Sequence, residues 1–297
     1  MATVTGIRAL RPATALALLL ALTACADRSA ADGGTPGGTP SPTVALPADP
    51  SALVLQVSLT GGFVTPEMLA ARLPVVSVYG DGRVISEGPV PAIYPGPALP
   101  NLQVRQIDRA GVQTLADLAL EAGVDETADL GMPPIADVPS TRFTLVTAAG
   151  THVREVYALH EGGAGIAPEQ EAARAELRDL FAALTDLETT LGPDAVTPTA
   201  SWSPEAVAAV VRPWTDPEDG LDHPEQRWPG PALPGEPLAG PGLGCALATG
   251  DQARVVLEAA GTANTLTPWV TDDGARWAVT FRPLLPQESG CADLGDA

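Results

Sequence analysis

The chain has 297 residues, a net charge of −20, 45% apolar and 4% aromatic residues, a composition that belongs to a globular protein with a Val, Leu and Ala core. So negative a surface repels nucleic acid and anionic headgroups, which removes both as direct partners of the folded part. All 16 basic residues are arginine, so a Walker A lysine, a Schiff-base lysine and a Ser-x-x-Lys dyad are excluded.

The first segment, residues 1–24, has the layout of an export signal. Arg8 and Arg11 form a sparse positive start, and the apolar run from Ala13 to Leu22 follows. That run is about half of the roughly 20 residues needed to span a bilayer. Leu22-Thr23-Ala24-Cys25 then matches a bacterial lipobox, in which small residues precede the cysteine that receives the lipid. The expectation is a lipoprotein anchored through Cys25 at the extracellular face of the cell membrane, and otherwise a monomer. Residues 25–50, rich in Gly, Pro, Ser and Thr, read as a flexible tether with a reach of roughly 25–30 Å.

Residues 51–192 read as an α+β domain. Leu53, Leu55, Val57 and Leu59 alternate as a half-buried strand. Asp81-Gly82 supplies the turn of a hairpin between Val76/Val78 and Val84/Ile85. Asp108 is placed as the N-cap of a helix to about Ala122, with Ile107 and Val112 as a hydrophobic staple and Gly123 just beyond its end. A second hairpin turns at Ala149-Gly150. A long helix opens at Pro168 and carries Leu177, Leu180, Phe181, Leu184, Leu187 and Leu191 on one face, with Glu171, Arg174, Arg178 and Asp186 mostly falling away from it. This order predicts an antiparallel sheet with helices packed on one face.

Residues 193–244 read as a short helix from Ser203-Pro204-Glu205, carrying Val207, Val210 and Val211, and then a linker with eight prolines and six glycines over 213–244. Residues 245–297 form a small α+β unit. Thr249-x-x-Gln252 has the spacing of a capping box, Gly261 ends the helix, and Trp277, Val279 and Phe281 alternate as a strand after a turn at 272–274. Cys245 and Cys291 bracket this unit. With Cys25 used for lipid they make an even pair, predicted as a disulfide in an oxidising compartment.

No G-x-S-x-G, H-E-x-x-H, C-x-x-C or phosphate-loop pattern occurs, and no cofactor is implied. His152 and His160 fall some 25 Å apart along a strand and its exit, too far to share a metal. Asp216, Glu218, Asp219, Asp222, His223 and Glu225 crowd ten positions. Oxygen donors on a Gly-containing loop suit Ca²⁺, although the order departs from an EF-hand and the plainer reading is a solvated acidic linker. Tyr94, with Pro95, Pro97 and Asn101, lies on a Pro-rich loop that suits contact with a partner, or equally the capping of a sheet end.

The Tyr-Gly-Asp-Gly-Arg stretch (79–83), the Tyr-Pro-Gly-Pro-Ala-Leu-Pro-Asn loop (94–101) and Arg-Pro-Leu-Leu-Pro (282–286) resemble a group of lipoproteins from high-GC Gram-positive bacteria. The resemblance covers most of the chain after the tether and implies an envelope location; it supplies no mechanism and carries over no site residue. The functional expectation is a non-catalytic envelope binding or accessory protein whose partner is an envelope protein or glycan. The alternatives are an envelope hydrolase with a carboxylate pair, which needs two acids about 5–9.5 Å apart across a cleft, and a calcium-dependent adhesion module.

Overall fold

A computed structural model describes residues 43–294. The expected export signal, Cys25 and most of the expected tether lie outside them. The chain forms strand β1 (Leu53–Gly61), a short helix α1 (Pro66–Ala70), β2 (Val76–Tyr79), β3 (Arg83–Glu87), β4 (Leu102–Gln106), α2 (Arg109–Glu121), β5 (Pro139–Thr147), β6 (Gly150–Tyr157), α3 (Pro168–Thr185), α4 (Leu187–Leu191) and β7 (Ala200–Ser201). These strands make a seven-stranded antiparallel sheet in the order β6-β5-β1-β2-β3-β4-β7. Leu55, Val57, Val76, Val78, Phe143 and Leu145 face one side and bury Val112, Leu115 and Ala116 of α2 and Leu177, Leu180 and Leu184 of α3. The expected α+β sheet with helices on one face is the architecture observed.

Local chemistry places the elements. Asp108 caps α2, its carboxylate accepting from the Gly111 N–H at 2.7 Å, and Ile107 and Val112 are both buried in the same cluster. The β2–β3 turn needs glycine at position 82. Its φ is +88°, and a Cβ there would collide with the Ile107 carbonyl oxygen. In β1 the pairing shifts register between Leu53 and Leu55. Leu53 therefore packs on the opposite face with Tyr79 and Ile85, not beside Leu55 and Val57 as strict alternation predicts.

The long helix predicted from Pro168 breaks at Asp186, whose side chain accepts from the Thr189 N–H and starts α4. Arg174 does not fall away from the buried face. Its side chain is fully buried and donates to the carbonyl oxygens of Leu130 (3.4 Å), Tyr157 (3.0 Å) and Ala158.

The remaining strands are β8 (Ala206–Pro213), β9 (Gln226–Arg227), β10 (Glu236–Pro237), β11 (Gly244–Thr249), β12 (Trp269–Val270) and β13 (Arg276–Pro283), with helix α5 (Gly250–Ala260) between β11 and β12. They form a second, six-stranded sheet in the order β10-β11-β8-β13-β12-β9. The helix expected over Val207, Val210 and Val211 is instead its inner strand β8. Residues 207–211 are all buried, because both faces are covered. Val207, Ala209 and Val211 meet α5 and the Trp228–Trp269–Phe281 cluster, while Ala208 and Val210 meet Cys245, Leu284 and Cys291. Thr249 is the N-cap of α5, but its side chain makes no capping hydrogen bond, so the predicted capping box does not form. Cys245 and Cys291 are disulfide-bonded, with Cα atoms 6.0 Å apart.

The two sheets meet along a seam after β13. Leu285 inserts among Tyr79, Ile85 and Leu102 on the face of the first sheet opposite the helices. The Tyr79 hydroxyl donates to Gln287 at 2.6 Å, and burial pushes that phenol well above its ordinary range.

The role of Arg174 can be measured. Arg174→Met leaves three carbonyl oxygens without their donor, and each buried orphan costs about 1–3 kcal/mol. The expected loss in urea unfolding is about 2–4 kcal/mol with the sheet retained by circular dichroism. An unchanged midpoint would mean that water serves those carbonyls equally well.

Candidate functional site

Two features stand out: a braced loop on the surface and a cleft at the seam. The loop joins β3 to β4. Its stem is closed by the Gly88 N–H on the Asn101 carbonyl (2.7 Å) and by the Asn101 side-chain amide on the Pro89 carbonyl (2.7 Å). Its second half docks on the other sheet. Pro97 bridges Asn264, the Ala98 N–H donates to the Ala263 carbonyl, and the Thr265 N–H donates to the Gly96 carbonyl at 2.9 Å. Ala98 and Leu99 pack on the α5 core. The Tyr94–Pro95 peptide is cis.

Between these anchors the loop tip is apolar and in solvent. Val90 is 52%, Ile93 62% and Tyr94 68% exposed. Tyr94 therefore does not pack inward to cap the sheet. Its hydroxyl donates to Asp219 Oδ2 at 3.0 Å, which brings together the Pro-rich loop and the acidic loop that the sequence presents 125 residues apart.

Asp219 is the hub of the acidic loop. Its Oδ1 accepts from the Leu221 N–H (3.0 Å) and is 2.9 Å from His223 Nε2. The Leu221 N–H, with the His223 and Tyr94 contacts, holds this carboxyl below the ordinary range, and the same contact to Asp219 pushes the Tyr94 phenol above its own. The His223 side chain is 5% exposed and lies edge-on to Trp214. Asp216 accepts from the Glu218 N–H, Glu225 pairs with Arg276, and Asp222 is exposed. The carboxylates thus turn to separate partners. Among the described residues no group of three or more His, Cys, Asp or Glu side chains is placed to hold a metal ion. His160 is edge-on to Phe181 at 4.5 Å, a packing role.

The cleft has a volume of about 190 Å³ and lies where β1, β5 and the segment after α1 face the end of β13. Arg72, Arg142 and Arg282 line it, with Gln56, Ser58, Glu288 and Asp293. Two carboxylates thus share this cleft, as hydrolytic chemistry would require, but both are spent on structure. Glu288 takes two hydrogen bonds from Arg282 (2.6 and 3.0 Å) and one from the Leu285 N–H (2.7 Å). Asp293 accepts from the Ser289 N–H and hydroxyl and from the Gly290 N–H, which hold its carboxyl below the ordinary range. An acid so stabilised as its anion is a poor proton donor. Sequence reasoning did not single out this cleft, because its residues come from four separated segments without a motif.

No family model, no curated protein and no solved structure matches the chain. Among the described residues no helix is long and apolar enough to cross a membrane.

The Tyr94–Asp219 contact has a defined pH window. The depressed Asp219 contributes above the ordinary aspartate range near pH 4 and loses its contribution as pH falls through its folded value. The raised Tyr94 contributes below about pH 10 and loses its contribution as pH rises through its folded value. In an ultraviolet titration, Asp219→Asn shifts the Tyr94 ionisation down toward pH 10, with Tyr94→Phe identifying the step. An unshifted curve would refute the contact.

Proposed function

We propose that this protein is an exported, lipid-anchored protein of the cell envelope that binds a protein partner, without catalysis, through the tip of the 88–101 loop. The observation that carries the reading is the exposure of Val90, Ile93 and Tyr94 on a loop whose base is fixed to both sheets. An aromatic and two aliphatic side chains held in solvent lose little conformational entropy on contact, which is how interface anchors gain affinity. A protein surface suits them better than a glycan does. The Tyr94 hydroxyl is already taken by Asp219, and its apolar neighbours offer sugar hydroxyls no partner.

The lipid anchor rests on Leu22-Thr23-Ala24-Cys25 and on the resemblance to envelope lipoproteins. The Cys245–Cys291 disulfide agrees with an oxidising compartment. In this reading the tether holds an acidic body away from the headgroups that would repel it.

A photo-crosslinker at position 93 of the native protein on cells is expected to give a discrete protein adduct. Val90→Asp should lower its yield about tenfold or more without changing the melting temperature, and Tyr94→Ala should lower it as much with only the small loss of stability that goes with the exposed Tyr94–Asp219 contact. Cys25→Ala should release the protein from the membrane fraction. Equal adduct yield from the loop variants would overturn the binding surface, and a Glu288-dependent hydrolytic activity of the purified protein would favour an enzyme instead.

A further inference from the structure

From the cleft at the seam we infer that it is a binding site for a small oxyanion, a carboxylate or a phosphate, received by Arg72. The cleft collects three guanidinium groups in a chain whose net charge is −20. Two are matched by carboxylates: Arg282 by Glu288 at 2.6 Å and Arg142 by Glu155 at 2.9 Å. Arg72 is not matched. Its Nη1 donates to the Leu59 (3.2 Å) and Gly61 (2.9 Å) carbonyl oxygens, and it makes no ion pair among the described residues. Those two neutral acceptors aim the side chain, and no carboxylate among the described residues pairs with it directly.

Burial works against that charge and lowers the Arg72 pKa, so an anion beside it gains what the protein has left unsupplied. The planar fork of donors matches the geometry of a carboxylate or a phosphate. The carboxylates of Glu288 and Asp293 also line the cleft, the first held by Arg282 and the second by the Ser289 and Gly290 N–H donors, and neutral polar groups complete it. Gln56 and Ser58 of β1 point to this face because Leu55 and Val57 point to the helices. Gln56 is oriented by its side-chain amide, which donates to the Ser77 hydroxyl oxygen at 3.0 Å. Ala70, Leu73, Pro74 and Leu294 supply apolar walls. At about 190 Å³ the space falls below the roughly 300–1,000 Å³ of drug-sized sites and fits one small anion. The cleft is separate from the loop of the proposed function, and the two readings stand or fall independently.

The test uses the full-length protein labelled with ¹⁵N-arginine. Selective labelling confines the side-chain Nε–Hε spectrum to the arginines, and Arg72→Gln assigns the Arg72 signal. Acetate and inorganic phosphate are titrated separately at constant ionic strength, with chloride as the control. The expected result is a saturable shift of the Arg72 signal with one or both oxyanions and none with chloride. The anion bound more tightly identifies carboxylate or phosphate as the natural chemistry.

Isothermal calorimetry should find the affinity of Arg72→Gln lower by about tenfold or more, the scale of a lost hydrogen bond between charged groups. Ser58→Asp places a carboxylate inside the cleft and should abolish binding at an unchanged or raised melting temperature, which keeps the test decisive if Arg72→Gln unfolds. No saturable shift with either anion, or undiminished binding by Ser58→Asp, would overturn the inference.

Discussion

The paired hydrogen bonds from Arg282 to Glu288 fix the turn that follows β13, and the meeting of the two sheets depends on that turn. Glu288 also accepts from the Leu285 N–H, and Arg282 donates to the Arg72 carbonyl oxygen, so one ion pair ties three backbone segments together. Both side chains are almost wholly buried. Taking two charges out of water costs about as much as their attraction returns, so the pair is better understood as a positioning device than as a source of stability. It sets Leu285 among Tyr79, Ile85 and Leu102 and brings Gln287 to the Tyr79 hydroxyl.

The same arrangement explains why function gathers at junctions. The 88–101 loop belongs to the first sheet by connection and to the second by its hydrogen bonds. Its tip is exposed because its base is held from both sides. The arginine cleft is walled by β1 and β5 of one sheet and by the segment after β13 of the other. The disulfide pins that segment to β11 through Cys291. Each feature needs the whole body of residues 43–294, which is why neither has a compact motif.

Legibility in the sequence followed physical simplicity. The hairpin at Asp81-Gly82, the Asp108 cap and the helix opening at Pro168 are local signals that stand where they were expected, and the second hairpin turns at Ala148-Ala149, one residue before the expected Ala149-Gly150. The cysteine pairing followed from counting. The run Ala206–Pro213 misled because Val207, Val210 and Val211 have helical spacing, and a short apolar run covered on both faces has no alternation to correct it. Its eight residues and the prolines at 204 and 213 were the signals that favoured a strand. Arg174 was misplaced because a charged residue reads as surface, and nothing local announces the carbonyl oxygens of Leu130, Tyr157 and Ala158 that receive it. The Tyr94–Asp219 contact spans 125 residues and leaves no trace in either segment.

The seam also sets an order of assembly. Tyr79 meets a residue 208 positions later and Arg72 one 210 positions later, whereas the hairpins and helices of the first sheet close over short stretches of chain. Short closures form first, because long ones cost more chain entropy before any contact repays them. During synthesis the N-terminal sheet can therefore gather on its helices while its other face, with Gln56, Ser58 and Tyr79, stays open to water. That face is closed only when the last residues of β13 and the Arg282–Glu288 turn arrive, so the final stretch of the chain acts as the keystone of a body whose first sheet is already standing.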